Sequence, residues 1–367
     1  MPGGYKMHEH LIFVINPGST STKVAIFSGN SELAKENIQH STEELQKFSH
    51  IIEQYPFRKK ILLKWLEEKG YHLDSFSAIA SRGGLLHPLP SGVYRINDMM
   101  IQDLKSCKYG SHASNLGAII AFDLSNEFNI PAYIADPVTV DEMHILARYS
   151  GLKGLERKSI FHALNQKYIA RKAAKDLGKE YDESNLIVVH LGGGISVGAH
   201  FQGKVIDVNN ALNGEGPYSA ERSGTIPSLS LLKLCFSGKY SCDEMLKKLA
   251  GQGGMVSHLG TNNAKIVEDK AMEGDKDYQI VFDGMIYQTA KMIGEMSAVL
   301  SGEVDAIVLT GGMARSKYLC NEVKAYTSHI AQLMVYPGED EMAALAENAF
   351  FIIQKLAVPH NYADFIS

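Results

Sequence analysis

Two stretches of the chain share one pattern, in which an apolar run, a short turn and a second apolar run follow one another. The first stretch spans residues 11–27 and the second spans residues 186–200. Short apolar runs bounded by turn residues are typical of buried strands, so each stretch predicts a β-hairpin. Gly203 and Lys204 then turn the chain into a further short strand that ends at Val208.

Helical spacing and short apolar runs alternate through the rest of the chain. Helices are predicted at about residues 57–69, 113–128, 161–176, 277–300 and 342–357, and strands at 76–81, 131–135, 304–310 and 333–336. Ser241 and Glu244 have the spacing of a capping box for a helix that would end at Ala250. This alternation predicts mixed sheets flanked by helices, one sheet in each half of the chain.

Composition and charge narrow the class of protein. The 367 residues, 45% of them hydrophobic, provide enough apolar material for the cores of two domains. The formal net charge of −5 argues against nucleic acid or a membrane surface as the partner. No run has the length of a transmembrane helix, and residues 1–10 lack the apolar core of a signal peptide. We therefore expect a cytoplasmic protein and exclude residues 1–10 from the fold as a loose tail.

The turns of the two hairpins carry the first candidate chemistry. The first turn contains one glycine, four hydroxyl residues and a lysine, namely Gly18, Ser19, Thr20, Ser21, Thr22 and Lys23. Such a set suits an anion with several oxygens, although a polar hairpin turn has the same composition. It is not a Walker loop, because a strand follows where that motif needs a helix. The second turn, residues 192–194, is all glycine and leaves its backbone open to close approach.

Polar residues at the ends of predicted elements add to this inventory. Arg82 and Asp136 each follow a buried strand, where ligands of α/β sheets bind, and Asp136 is a candidate metal ligand. A surface arginine and a turn-forming Asp-Pro pair are the alternatives. His112 would either contact an anion or cap the helix that follows it. Gly311 and Gly312 would pack against a nucleotide base and ribose, or form a plain turn between strand and helix.

Six motifs in the same order resemble those of the acetate kinase family of carboxylate kinases, and within it most closely those of butyrate kinases. They are INPGSTSTK at residues 15–23, SRGGL at 81–85, SIFHALNQK at 159–167, HLGGGIS at 190–196, ERSGT at 221–225 and LTGG at 309–312. The resemblance implies an α/β fold of two actin-like (ribonuclease H-like) domains, each a mixed sheet flanked by helices, with a cleft between them. The expected domains are residues 8–145 with 345–367, and residues 146–344.

The resemblance also implies roles for single residues. The expected catalytic residues are Arg82, Arg222, His190, His162 and Asp136. The nucleotide would be bound by Asn16, Gly18, Ser19, Thr20, Ser21, Lys23, Gly192, Gly193, Gly194, Gly311 and Gly312. Asp136 and Glu341 would hold Mg²⁺, with Glu341 preferred over its neighbours Glu339 and Asp340. The implied cofactors are ATP/ADP and Mg²⁺, the partners a small carboxylate and a nucleotide, and the assembly a homodimer or larger.

The acid implied by the closest resemblance is butanoate, which would be phosphorylated to butanoyl phosphate. Acetate, propionate or isobutyrate, or a nucleotide switch without kinase activity, are the alternatives. The acid would be lined by Gly84, Ser111, His112, Phe161 and Pro217. Gly84 and Ser111 stand where acetate kinases have a valine and a leucine, which predicts a wider pocket unless the backbone itself requires Gly84. Gln166 stands where acetate kinases have a second histidine, so that residue's role is absent or altered here.

Overall fold

A computed structural model describes residues 10–366 of the chain. Two compact units make up this structure: the first ends at Val140 and resumes at Asp340, and the second is Asp141–Glu339. The domain boundaries expected from the sequence, at 145/146 and 344/345, stay a prediction. The excluded tail up to residue 9, and the outermost residues 8, 9 and 367 of the expected first domain, lie outside the described residues.

The first unit is built on a seven-stranded sheet. Its strands are β1 Leu11–Pro17, β2 Ser21–Ser28, β3 Ser31–Gln39, β4 Ala78–Arg82, β5 Val93–Arg95, β6 Ala132–Ala135 and, near the end of the chain, β12 His360–Asn361. Across the sheet the order is β12-β5-β6-β4-β1-β2-β3. The helices of this unit are α1 Thr42–Leu45, α2 Tyr55–Glu68, α3 Asp98–Lys105, α4 Asn115–Phe128 and α13 Glu341–Ile353.

The second unit is built on a five-stranded sheet. Its strands are β7 Asn185–Leu191, β8 Ile195–Phe201, β9 Lys204–Val208, β10 Ala306–Gly311 and β11 Leu333–Pro337, in the order β11-β10-β7-β8-β9. Its helices are α5 Ile145–Arg148, α6 Ala163–Asp176, α7 Ser228–Cys235, α8 Cys242–Leu249, α9 Gly254–Leu259, α10 Ala264–Met272, α11 Lys276–Val299 and α12 Lys317–Thr327. No helix within residues 10–366 is both long and apolar enough to cross a membrane.

The two sheets repeat one topology. In the first unit β1, β2 and β3 form an antiparallel meander, and β4 and β6 continue the sheet in parallel from β1. In the second unit β7, β8 and β9 form the meander, and β10 and β11 continue it in the same way from β7. The central strands β1 and β7 are almost wholly buried, as expected of parallel-paired strands covered by helices. The prediction of an α/β fold with a mixed sheet in each half is confirmed.

Some elements differ from the sequence prediction. The charged segment Ser31–Gln39, for which no strand was predicted, forms the edge strand β3. The last helix ends at Ile353 rather than near residue 357. Gly312–Arg315 form a 3₁₀ turn between β10 and α12, where the sequence predicts that the helix follows the two glycines directly. The capping box of Ser241 and Glu244 is present and begins α8.

Candidate active site

The turn between β1 and β2 is closed by its own backbone. The Gly18 N–H donates to the Ser21 carbonyl over 2.8 Å, which fixes the tight reversal between the strands. Ser19 and Thr20 are exposed at the tip, whereas Ser21 and Lys23 are half-buried. The loop therefore presents the Ser19 and Thr20 hydroxyls at the surface of the first unit, and its part in binding the nucleotide stays a prediction.

Beneath this turn lies Arg58 of α2, a residue that the sequence analysis did not single out. Its guanidinium donates to the carbonyl oxygens of Gly18 (2.8 Å), Ser19 (3.1 Å) and Ser21 (3.0 Å). It also donates to Thr22 Oγ1 (3.1 Å) and twice to Gln54 Oε1 (2.8 and 3.2 Å).

Arg58 is a charged group inside the unit. The side chain is fully buried, and none of its hydrogen bonds within the described chain goes to a carboxylate. Burial lowers the pKa of this guanidinium to about 10, so it stays charged at neutral pH. Because it binds the loop carbonyls, it turns them inward and adds positive charge below the turn. Both effects favour an anion at the outer side.

Arg82, Asn16 and Glu341 come together in the first unit. Asn16 lies in β1, Arg82 ends the neighbouring β4, and Glu341 begins α13. Glu341 Oε2 accepts from Asn16 Nδ2 over 2.7 Å and from Arg82 Nη1 over 3.1 Å. Because Arg82 is half-buried and ion-paired, it is not the exposed turn arginine that the sequence left as an alternative.

Asp136 follows β6 and holds a neighbouring loop. Its side chain is buried, and Oδ1 accepts from the Ser91 hydroxyl (2.6 Å) and the Gly92 N–H (2.9 Å). Its φ of 38° lies in the left-handed region, a conformation uncommon outside glycine and kept only where the surroundings enforce it. Within residues 10–366 no cluster of three or more His, Cys, Asp or Glu side chains could hold a metal ion.

The predicted widening of the acid pocket at Gly84 is wrong, because the space beside this residue is occupied. A Cβ at Gly84 would lie 2.6 Å from Asn115 Cα and 2.8 Å from Leu104 Cδ2. Asn115 cannot move aside easily, since its amide bridges the Leu85 N–H and the Gly110 carbonyl. The glycine is required by the close approach of α4, which was the other reading of the sequence.

Ser111 and His112 lie just before α4. Ser111 is exposed, and His112 Nδ1 accepts from the Ser114 N–H over 3.2 Å and lies 2.8 Å from the Ser114 hydroxyl. Ser114 occupies the N-cap position of α4, and its side chain makes no capping hydrogen bond with the described residues. Both interpretations of His112, contact with an anion and capping of α4, stay predictions, as does its part in binding the acid.

In the second unit His162 and His190 form a stacked pair. Their ring centroids are 3.8 Å apart and the rings are nearly parallel, at 11°. His162 Nδ1 lies 2.9 Å from Ser196 Oγ. His190 is buried; its Nδ1 lies 2.7 Å from Asn165 Oδ1 and its Nε2 lies 3.8 Å from Glu339 Oε1. Thus Glu339 contacts a histidine of the second unit, whereas Glu341 contacts Arg82 in the first.

The glycine turn between β7 and β8 lies against this pair. A Cβ at Gly194 would be 2.9 Å from the Ala211 carbonyl, 3.7 Å from the His162 ring and 3.8 Å from Arg222 Cγ. Two donors near the turn, Arg222 Nε and Asn165 Nδ2, are buried and make no hydrogen bond with the described residues. Buried donors without acceptors are rare in folded proteins, and both are of the kind that an anion would satisfy.

The strand end at Gly311 and Gly312 borders a cavity. Gly311 has a φ of 93° and lies with its Cα side against the Leu191 backbone, so its conformation requires glycine. Gly312 lines a cavity of about 660 Å³ together with Phe282 and Met313. Lys265, Arg315 and Lys317 also line it. Apolar surfaces beside cations are suited to a purine base joined to phosphates.

The two acid-pocket residues expected in the second unit are placed differently. Phe161 is buried directly before His162. Pro217 lines a cavity of about 580 Å³ whose other walls include Arg157, Lys291 and Met292, and Phe161 is not among the lining residues. That Phe161 and Pro217 line one acid pocket stays a prediction.

Comparison with known proteins identifies the family. The sequence model described as the Acetokinase family matches residues 143–350, more than half of the chain. The chain belongs to the acetokinase family. Members of this family are carboxylate kinases that use ATP and ADP.

Solved structures extend the likeness in fold to nearly the whole chain. An acetate kinase from Porphyromonas gingivalis is 18% identical, with 94% of this chain and 100% of that chain covered and a TM-score of 0.77. A propionate kinase from Francisella tularensis is 21% identical, with 92% and 98% covered and a TM-score of 0.71. An acetate kinase from Entamoeba histolytica is 17% identical, with 91% and 97% covered and a TM-score of 0.73.

Replacing Arg58 with methionine should loosen the first turn. The change leaves the carbonyls of Gly18, Ser19 and Ser21 without their donor, and each buried acceptor left unsatisfied costs about 1–3 kcal/mol. We expect the unfolding free energy of the first unit to fall by about 3 kcal/mol or more. Amide hydrogen exchange of a peptide covering the turn should accelerate. Lys64→Met, an exposed charge loss on the same helix, is the control and should change neither measurement. Unchanged exchange in Arg58→Met would contradict the role.

Replacing Gly84 with alanine should affect stability and not acid preference. The new Cβ overlaps Asn115 and Leu104, and overpacking of this kind costs about 1–3 kcal/mol. Gly294→Ala is a suitable control, because no atom lies within 4 Å of a Cβ at that helical position and alanine favours the helix. Denaturant unfolding should show Gly84→Ala destabilised and Gly294→Ala equal to the parent or better. An equally stable Gly84→Ala would restore the reading of Gly84 as free pocket space.

Proposed function

We propose that this acetokinase-family chain is an ATP-dependent butyrate kinase that forms butanoyl phosphate reversibly by direct in-line transfer. The observation that carries the proposal is a cation, Arg82, at the end of β4. Its guanidinium is held by Glu341 Oε2, which also accepts a hydrogen bond from Asn16. A cation at this position suits an acceptor that is already an anion.

A carboxylate acceptor needs charge compensation rather than a general base. Carboxylic acids have pKa values of about 4–5, so the acid is ionised at neutral pH and needs no proton removed before it attacks. Repulsion between the acid and the terminal phosphate of ATP is then the main barrier. Arginines and N–H donors aimed at the transferring group relieve that repulsion. A hydroxyl acceptor would instead need a carboxylate base that is free to take a proton.

Each unit contains candidate donors of this kind. The first unit offers Arg82 and the hydroxyl-bearing turn above Arg58. The second offers Arg222 and the stacked His162 and His190 beside the glycine turn. The buried donors Arg222 Nε and Asn165 Nδ2 support an anion at that turn. In the proposal the cavity beside Gly312 and Met313 takes the adenosine part of the nucleotide.

The first unit offers two carboxylates, those of Asp136 and Glu341, as ligands for Mg²⁺. Mg²⁺ bound to nucleotides takes one or two carboxylates and otherwise phosphate oxygens and waters. Asp136 and Glu341 are buried carboxylates at the ends of neighbouring elements of the first unit, and each has one oxygen already engaged by donors. Asp136 and Glu341 would be the protein ligands of the ion, whose charge would offset that of the phosphates.

The choice of butanoate rests on the motifs and not on a pocket, since Gly84 adds no space. A second candidate, acetate or propionate, is supported by the structures similar to this chain, which are named acetate and propionate kinases. If the acid site buries the two extra methylenes of butanoate, about 0.8 kcal/mol each would favour butanoate over acetate by roughly fifteen-fold.

Trapping of the acyl phosphate with hydroxylamine tests the proposal. Purified protein with ATP and Mg²⁺ should form hydroxamate with butanoate at a kcat/KM about tenfold or more above that with acetate. Propionate and isobutyrate should be measured in parallel. Faster turnover of acetate or propionate would replace butanoate by the second candidate. Release of ADP without hydroxamate from any acid would overturn kinase activity on carboxylates.

If Arg82 and Arg222 act on the transferring phosphoryl group, replacing either one should lower turnover and leave nucleotide binding unchanged. Arg82→Ala and Arg222→Ala should each lower kcat by about 10³-fold or more, because an arginine at a transferring phosphoryl group has effects of that size. Lysine at either position should restore little, since it lacks the planar fork. Arg95→Ala, an exposed arginine of the first unit, is the control. Near-parental turnover in a folded alanine variant would remove that arginine from the mechanism.

A further inference from the structure

Gln166 is buried in the second unit, one helical turn after His162. Its Nε2 lies 3.0 Å from the Ser196 carbonyl and 2.7 Å from Ser196 Oγ, and its Oε1 lies 3.0 Å from His200 Nε2. The carbonyl fixes the orientation of the amide, because only the NH₂ side can face another acceptor oxygen. Gln166 therefore gives two hydrogen bonds to Ser196 and accepts one from His200.

This orientation determines the protonation of His200. Since Gln166 Oε1 is an acceptor, His200 Nε2 must carry a proton, and Nδ1 then accepts from the Tyr181 hydroxyl at 2.8 Å. His200 is completely buried, and burial and then the nearby charge of Lys167 lower its pKa well below 6.5. Its ring is thus neutral, with one nitrogen donating and the other accepting.

On the other side of Gln166, the Ser196 hydroxyl has one proton to donate and one acceptor within reach. Its side chain is buried, and within the described structure Oγ contacts two polar partners, Gln166 Nε2 and His162 Nδ1. Gln166 is the donor in the first contact. If His162 also donated, the serine hydroxyl would be a buried donor without an acceptor, which is strongly disfavoured. Ser196 therefore donates to His162 Nδ1.

We infer that Gln166 and Ser196 are positioning residues, which hold His162 in the tautomer with its proton on Nε2. All the hydrogen bonds from Tyr181 to His162 run in one direction, and aligned chains of this kind strengthen one another. His162, whose Cε1 would lie 3.7 Å from a Cβ at Gly194, thereby carries its N–H on Nε2. The benefit for phosphoryl transfer rests on the proposed function, since the donor would meet an oxygen of the transferring group.

The tautomer can be read without any activity. In protein labelled with ¹⁵N-histidine, long-range ¹H–¹⁵N correlation at a pH where the ring is neutral distinguishes the two nitrogens of His162. His162→Gln serves to assign the signals. We expect the proton on Nε2 and none on Nδ1. A ring that carries its proton on Nδ1 would overturn the inference, whether or not the protein phosphorylates an acid.

Two variants test the chain of donors. Gln166→Glu keeps the shape but presents an acceptor to Ser196, so the serine proton is drawn away and the tautomer of His162 should shift toward Nδ1–H. Ser196→Ala removes the donor altogether and should leave a mixture of tautomers. Ser196→Thr retains the hydroxyl and should keep the parental spectrum. A His162 spectrum unchanged in both Gln166→Glu and Ser196→Ala would overturn the inference.

Kinetics provide the second readout. Ser196→Ala should lower kcat by about five- to thirty-fold, the effect of one or two hydrogen bonds, with KM for either substrate nearly unchanged. Thr327→Ala is the control, because that buried hydroxyl donates to the Val323 carbonyl within α12 and has no contact with the network. A folded Ser196→Ala with altered tautomer and parental kcat would show that the network has no part in the reaction.

Discussion

Each unit contains a hairpin turn whose inward-facing carbonyls must find hydrogen-bond donors within the fold. The two units meet this requirement by different means. In the first unit, the buried Arg58 donates hydrogen bonds to three carbonyls of the turn, those of Gly18, Ser19 and Ser21. In the second, the Gly193 carbonyl accepts from the Ser219 hydroxyl (2.6 Å) and the Glu221 N–H (3.3 Å). A charged donor below one turn and neutral donors beside the other leave both outer faces available to an anion.

The same requirement explains where glycine is indispensable. Gly194 lies against the Ala211 carbonyl, and Gly311 lies against the backbone of Leu191 in β7, so a side chain at either position would displace the neighbouring segment. Gly84 belongs to the same class, because it lets α4 approach β4 and thereby brings Asn115 into hydrogen-bonding reach of Leu85. A glycine inside a motif is therefore as consistent with close packing of the scaffold as with room for a substrate.

The sequence predicted the fold well where the local pattern and the tertiary structure agree. Both hairpins are visible as apolar runs around small turns, and their register needs no distant information. The strand β3 was missed because it is an edge strand with mostly exposed, charged residues. Arg58 was missed for another reason: its helix is amphipathic with the arginine among polar positions, and its loop partners lie 36–40 residues away. Contacts between distant segments cannot be read from local periodicity.

Gln166 illustrates how a departure from a family pattern becomes interpretable only with geometry. The buried position must give two hydrogen bonds to Ser196 and accept one from His200. A neutral imidazole has one donor and one acceptor, so a histidine here would leave at least one of these partners unsatisfied, whereas an amide matches all three. The glutamine is thus coupled to the residues around it, above all to His200, whose neutrality depends on burial and on Lys167. Gln166, Ser196 and His200 therefore satisfy one another's hydrogen-bonding groups, and a change at one of them affects the other two.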